Sequence, residues 1–326
     1  MLWLVNRWQT INIVSLALWP LSIIYCVIVA LRRLAYQTGV LKSISVGLPV
    51  IVVGNITVGG TGKTPLVIWL ADWLKTQGHR PGIVLRGYGG KSKIWPRQVQ
   101  AESSAVDVGD EAVLLARRTA CPVVAAPDRV AAARELVHHT DCTIIISDDG
   151  LQHYRLRRDY EISVVDGQRG YGNGFCLPAG PLREPAGRVK KVNLVVTNGK
   201  AEEGTLTMEV KPTAFRNIRS NKQVPLNDFK NKAVHAIAGI GNTARFFDTL
   251  RSIGTKTVNH PFPDHYRFSE NDLDFGDNLD IIITEKDAVK CTRFAGTNCW
   301  VLMVDARPTA AMVEKLRTWV EETRIG

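Results

Sequence analysis

The sequence has no C-x-x-C pair, no cysteine at metal-ligand spacing from a histidine, and no long low-complexity tract. Without paired cysteines, Cys26, Cys121, Cys142, Cys176, Cys291 and Cys299 read as mostly buried free thiols of a reducing cytoplasm, not as a disulfide framework. With 45% hydrophobic and only 22% charged residues, the chain lies outside the disordered class. It is long enough, at 326 residues, for two compact domains. It also lacks a basic-aromatic module of the kind that grips nucleic acid, so nucleic acid is not an expected partner. The net charge of +10 instead suits an anionic lipid or a phosphorylated substrate. No small-x-small cleavage site closes the N-terminal apolar run, and Arg32 and Arg33 follow it directly, which argues against a cleaved signal peptide.

That run, Ile11 to Leu31, contains no charged residue. As a helix rising 1.5 Å per residue it reaches about 30 Å, the thickness of a bilayer core. Residues 1–35 are therefore expected to form a membrane anchor helix. The positive residues after it (Arg32, Arg33 and Lys42) outnumber Arg7 before it, which places the body on the cytoplasmic side of the inner membrane. Asn12, Ser15, Pro20 and Ser22 interrupt the apolar run, so a spanning helix and one lying in a single leaflet both remain open.

Beyond the run, β-branched strand patterns alternate with helical ones: Leu48–Val53, Gly82–Leu85, Pro122–Ala126, Thr143–Ile146, Ile162–Val165 and Val192–Val196. This is the signature of an α/β fold whose parallel sheet is covered on both faces. Leu66, Trp69, Leu70, Trp73 and Leu74 mark one face of a helix that Pro65 opens and Gly78 closes. The stretch 204–228 is polar and reads as a linker or hairpin. A second strand–helix set follows, with strands at Ala233–Ala238, Asp280–Thr284 and Trp300–Val304 and a closing helix over residues 310–323. The expected division is a P-loop domain over residues 36–222 and a smaller α/β domain over residues 223–326.

The first strand runs into Gly54-Asn-Ile-Thr-Val-Gly-Gly-Thr-Gly-Lys-Thr64 and then into that helix. Gly62, Lys63 and Thr64 fit the end of the P-loop template, whose first glycine falls on Thr57. The loop Thr57, Val58, Gly59, Gly60, Thr61, Gly62 would turn its amides toward phosphate oxygens at a helix N-terminus. Lys63 would meet the β- and γ-phosphates and Thr64 would hold Mg2+. An apolar strand ending in Asp148 and Asp149 supplies the carboxylate such a metal needs; either aspartate fits. Thr284-Glu-Lys-Asp287 has the letters of a guanine-recognition motif in the wrong order, which leaves ATP as the expected nucleotide.

Several further segments are distinctive: Val84-Leu-Arg-Gly-Tyr-Gly89, Val108-Gly-Asp-Glu111, Pro127-Asp-Arg129, Asp148-Asp-Gly-Leu-Gln-His153, Pro178-Ala-Gly-Pro-Leu-Arg-Glu-Pro185, Phe262-Pro-Asp-His265 and Thr284-Glu-Lys-Asp287. With the P-loop they resemble the tetraacyldisaccharide 4'-kinase family, the lipid A 4'-kinases of Gram-negative bacteria, over nearly the whole chain. The resemblance implies ATP-dependent phosphorylation of the 4'-hydroxyl of a tetraacylated glucosamine disaccharide 1-phosphate, a glycolipid met at the membrane, with no obligate protein partner. It points to Asp110 as the base that takes the hydroxyl proton and to His265 as its pair, although spacing alone leaves Asp110 readable as a helix N-cap. Glu111 is a metal candidate or a first-turn helix residue. Arg129 and Arg183 are candidates for substrate or γ-phosphate oxygens, and Asn55, Tyr88, Gln152 and His153 for nucleotide or sugar. The competing reading is a membrane-anchored P-loop ATPase acting on a protein partner.

Overall fold

A computed structural model describes residues 7–200 and 204–323. The first six residues of the expected anchor and the last three of the expected second domain lie outside these. The strands are β1 (Val50–Gly54), β2 (Pro81–Leu85), β3 (Arg97–Val99), β4 (Val123–Ala125), β5 (Ile144–Asp148), β6 (Tyr160–Asp166), β7 (Leu194–Asn198), β8 (Thr207–Asn217), β9 (Gln223–Val224), β10 (Ala233–Ala238), β11 (Lys256–Pro261), β12 (Asp280–Thr284) and β13 (Cys299–Pro308). They join in one sheet in the order β11-β10-β12-β13-β8-β7-β6-β1-β5-β2-β4-β3, with β9 paired to β8.

The central strands β1, β2 and β5 are buried along their whole length, as parallel strands covered on both faces must be. β1 lies between β5 and β6, parallel to both, with Val53 opposite Asp148. Because β2 follows β1 in the chain yet lies beyond β5, the chain reverses direction across the sheet beside β1, where α/β sheets form their ligand crevice. This register sets the loop after β1 beside the carboxylates that end β5.

Helix Lys63–Thr76 keeps Leu66, Leu70 and Leu74 inward as expected, and also buries Val67, Ile68 and Ala71. It is wedged between the sheet, helix Asp110–Thr119 and β13, so more than one face is covered. Trp69 and Trp73 stack on one another at 5.8 Å at the rim of that core.

The stretch 204–228 holds β8 and β9, an antiparallel hairpin. β8 is also the seam of the sheet. Its first residues run parallel to β7, while most of its length runs antiparallel to β13. Two polar strands went unread in the sequence, β3 and β11, and both lie at sheet edges where neither face demands an apolar run. All six cysteines are free thiols.

Helix Ile13–Gln37 carries Pro20 within it and is long and apolar enough to cross a membrane. It does not stand clear of the body. Ser15 accepts a hydrogen bond from Asn173 (3.1 Å), Ser22 donates to the Cys176 carbonyl (2.8 Å), Tyr25 to the Arg183 carbonyl (2.9 Å) and Arg32 to the Gln152 carbonyl (3.2 Å). Its polarity is inverted: Ser15 and Ser22 are buried, while Ile13, Leu16, Trp19, Leu21, Ile24, Val27, Ile28 and Leu31 are exposed.

Candidate active site

The loop after β1 bends through two glycines in the left-handed region, Gly59 at φ 100° and Gly62 at φ 92°, and Gly62 caps helix Lys63–Thr76. A side chain on Gly62 would also meet Asn198 Nδ2 at 2.3 Å, because Asn198 at the end of β7 donates to the Thr61 carbonyl (2.9 Å). Lys63 is held from two sides: its ammonium donates to Asn55 Oδ1 (3.0 Å) and pairs with Asp149 (3.4 Å). Asn55 is fully buried, and its own amide nitrogen reaches Thr57 Oγ1 and the Gly59 carbonyl, each at 3.4 Å. It therefore shapes the loop from beneath.

The two aspartates after β5 have opposite environments. Asp149, with φ 49°, turns to Lys63 and to Arg183, whose Nη1 lies 3.0 and 2.9 Å from its two oxygens. Burial works against its charge, but Lys63 and Arg183 outweigh burial and hold its carboxyl well below the usual range. Asp148 is 2% exposed, and its Oδ1 has no hydrogen-bond partner. Burial, followed by the nearby charges of Glu111 and Asp149, pushes its carboxyl up in spite of Lys63 and Arg129. An uncompensated carboxylate oxygen facing further negative charge is a place that a divalent cation fits. Among the described residues no three carboxylate, imidazole or thiol groups converge closely enough to hold a metal by themselves.

A second cluster lies between the two halves of the chain. Helix Asp110–Thr119 is capped by Gly109, so Asp110 is its first helical residue and not its N-cap, and its Oδ1 accepts from the Glu111 amide (2.9 Å). Its Oδ2 stands 3.1 Å from His265 Nδ1. His265 adopts φ 59°, an unusual backbone for histidine that directs the ring back toward the first half, where Tyr88 packs against it at 4.8 Å. Burial raises the Asp110 carboxyl, but the His265 hydrogen bond and Lys286 prevail and set it below its ordinary value. Burial likewise opposes the His265 imidazolium, yet the bond to Asp110 leaves its pKa raised.

Lys286 was passed over in the sequence, although Thr284-Glu-Lys-Asp287 had been singled out. Thr284 caps helix Glu285–Cys291, and that turn sends Lys286 to Glu111 (3.1 Å), Asp264 (3.3 Å) and His265 Nε2 (3.4 Å). The same turn directs Glu285 to Arg118 and buried Asp287 to the Gly239 amide (2.8 Å). The Gly239–Gly241 loop is thereby held against the P-loop, where a side chain on Gly241 would come within 3.2 Å of the Gly60 nitrogen. Arg169, which donates to the Gly60 carbonyl, and Arg245, which donates to Asn198 (3.0 Å), were also missed. No motif spacing marks either of them.

The remaining expected residues fall around these clusters. Gln152 ties the Asn55 carbonyl (3.2 Å) to Glu184 (3.0 Å). Arg129 is 3% exposed, donates to the Ala126 carbonyl (3.0 Å), and is pushed down to about 10 by burial. His153 accepts from the Arg129 amide (3.3 Å), and burial lowers it to about 4, so it is a neutral imidazole. Arg129 and His153 thus brace the floor of the site, behind Asp148 and Asp149. Thr64 stands in the first turn of the P-loop helix.

Comparison with known proteins finds relatives that cover most of the chain. A family profile described as tetraacyldisaccharide-1-P 4'-kinase matches residues 14–321. A tetraacyldisaccharide 4'-kinase of Nitrosococcus oceani is 52% identical over 286 residues, 88% of this chain and 85% of that protein. One from Hahella chejuensis is 44% identical over an alignment covering 98% of this chain and 95% of that protein. Among solved structures, LpxK from Aquifex aeolicus in complex with ATP superposes with a TM-score of 0.80 at 30% identity, covering 94% of this chain and 98% of that one.

Proposed function

Since the chain belongs to the tetraacyldisaccharide-1-P 4'-kinase family, we propose that it transfers the γ-phosphate of ATP to the 4'-hydroxyl of a tetraacylated glucosamine disaccharide 1-phosphate. The observation that carries this reading is the Asp110–His265 pair, assembled from residues 155 positions apart beside a P-loop. Phosphoryl transfer asks a protein for positioning, charge stabilisation and removal of one proton. Lys63 steadies the transferring phosphoryl group and the P-loop amides cradle its neighbours. Asp110 accepts the 4'-hydroxyl proton, and His265 orients the carboxylate and shares the charge. Lys286 holds His265, Asp264 and Glu111 in one frame. Arg183 positions Asp149, and so Lys63, and Tyr88 holds the His265 ring against the first half. Thr64, Asp148 and Glu111, with Asp149 beside them, are the residues that would hold Mg2+. When bound, Mg2+ neutralises charge on the β- and γ-phosphates.

The body belongs at the cytoplasmic face of the inner membrane. A helix hydrogen-bonded to the body at Ser15, Ser22, Tyr25 and Arg32 keeps the body against one side along most of its length, which supports a helix lying in one leaflet over one that spans. Residues 223–326 act as the second lobe, bringing His265 and Lys286 to Asp110 across the cleft, with the β8–β13 pairing as the seam.

The test is transfer of label from γ-labelled ATP to a synthetic tetraacyl disaccharide 1-phosphate in mixed micelles. Label at the 4' position, absent with a 4'-deoxy analogue, supports the reading. ATP hydrolysis that proceeds at full rate without the glycolipid overturns it.

A further inference from the structure

At the opposite end of the sheet from the P-loop lies a cavity of about 330 Å3. Its walls come from the segments that enter the parallel strands: Ser43 before β1, Arg157 to Glu161 at the start of β6, and Arg188 to Asn193 before β7. The last turn of the apolar helix closes it with Arg33, Tyr36 and Gln37. The P-loop leaves β1 at its other end, beside Asp148 at the end of β5, so this cavity is separate from the phosphoryl-transfer site.

Its charge is one-sided. Five cations line it (Arg33, Arg157, Arg158, Arg188 and Lys191) against Asp159 and Glu161. Both carboxylates are already engaged: Glu161 with Arg158 (3.1 Å) and Arg188 (2.6 Å), Asp159 with the Val50 amide (2.8 Å). Among the described residues, Arg33, Arg157 and Lys191 have no ion-pair partner. Three uncompensated cations around a hollow recruit an anion, and a phosphate group suits guanidinium and ammonium donors together. The surroundings identify its source. Leu31, Leu34, Val40 and Leu41 are exposed next to the cavity, continuing the bare apolar face of the helix. An anion at this level has hydrocarbon beside it.

We propose that this cavity binds the phosphate headgroup of an anionic glycerophospholipid, as a docking site distinct from the substrate's. The lipid's acyl chains run along the exposed side of helix Ile13–Gln37, and its phosphodiester sits between Arg33, Arg157 and Lys191. The site draws the protein to anionic membrane and fixes the end of the helix against the body. The proposal rests on the helix lying in the membrane surface and is independent of the kinase assignment.

The experiment is vesicle flotation of the full chain on pure phosphatidylcholine and on phosphatidylcholine with 30% phosphatidylglycerol. Three variants accompany it: Arg157→Gln with Lys191→Gln, Lys230→Gln with Lys256→Gln near the β11 edge as a charge-matched control, and Gln37→Trp, which fills the cavity mouth without changing charge. Each membrane-facing cation contributes about fivefold to binding, so the first pair should lose about 25-fold of the preference for phosphatidylglycerol. Gln37→Trp should lose it comparably and the control pair should keep it. All variants should float on neutral vesicles and retain their rate in detergent micelles. Equal losses in the control pair, or full preference in Gln37→Trp, would overturn the cavity in favour of diffuse charge attraction. If soluble glycerol 3-phosphate binds the cavity in detergent while vesicles show no anionic preference, the source is a free phosphate ester and the lipid assignment falls. Wild-type protein that fails to float even on neutral vesicles would instead refute the membrane placement.

Discussion

Asp110→Asn separates chemistry from scaffolding in this site. The asparagine Oδ1 can still accept from the Glu111 amide, 2.9 Å away in the native protein, so the start of helix Asp110–Thr119 keeps its local bond. What disappears is the charge, and with it the ability of the second oxygen, 3.1 Å from His265 Nδ1 and 3.8 Å from Lys290, to accept a proton. A general base is worth about 10² to 10⁴ in rate, or roughly 3–5 kcal/mol of barrier. The structural loss is the first-turn charge, roughly 0.3–1 kcal/mol, together with the buried charge-assisted bond to His265, roughly 1.5–3 kcal/mol. The expected result is therefore a kcat reduced by at least about a hundredfold, a protein that still folds with Tm lowered by about 5–10 °C, and unchanged ATP affinity. The assay pairs initial rates on the micellar glycolipid with calorimetric ATP titration and a thermal melt. His265→Ala should lose a similar or smaller factor, and the double variant should be little worse than the poorer single one, because the two groups serve one proton. A folded Asp110→Asn enzyme within about threefold of wild type would refute the base assignment.

Lys63→Ala should abolish transfer while the fold survives, measured by turnover and circular dichroism; near-normal turnover would remove the ATP site from this loop. Lys286→Met should lower kcat and shift the acid limb of the pH–rate profile, since it frees His265, Asp264 and Glu111 from a shared ammonium; a profile of unchanged shape would make it merely structural. The Asp110–His265 pair should also appear in stability. The His265 pKa is raised, so its contribution is complete below the ordinary imidazole value and fades as pH rises through the folded one; the Asp110 pKa is lowered, so its contribution is complete above the ordinary carboxylate value and fades as pH falls through the folded one. His265→Gln should therefore lower Tm more at pH 5.5 than at pH 8.5, and the reverse order would contradict the pairing. Deleting residues 1–37 should release the body from neutral membranes, read by flotation; a truncated chain that floats as before has another apolar attachment.

Much of the nucleotide side was legible because it is local. Strand, glycine-rich loop and helix follow each other in sequence, and an apolar strand that stops at Asp148 and Asp149 needs no tertiary information to be noticed. The acid–base side was not. Nothing about Asp110 or His265 in isolation links them; only the resemblance pairs them in sequence, and the fold sets them 3.1 Å apart. Lys286 shows the limit from the other direction: its segment was noticed, as a misordered guanine motif and as one of the family segments, but no role was given to the lysine. The same four residues are a capped helix start that sends Lys286, Glu285 and Asp287 to three different partners. Strands β3 and β11 escaped because edge strands need no apolar alternation, whereas the polar stretch 204–228 was open to a hairpin and holds one, β8 with β9. The N-terminal helix was found by hydropathy, but its orientation depended on which serines were bonded to the body.

That orientation has a kinetic consequence. Tyr25 of the helix donates to the carbonyl of Arg183, and the guanidinium of Arg183 grips Asp149, which in turn holds Lys63. With the helix lying in lipid as proposed above, Lys63 is connected to it by three contacts, and those contacts would set its height above the bilayer. A catalyst fixed at one height meets its glycolipid by lateral diffusion in two dimensions, with no need to pull acyl chains into water. Its velocity then follows the mole fraction of substrate in the surface, so diluting the glycolipid with inert amphiphile slows the reaction even when its bulk concentration is unchanged.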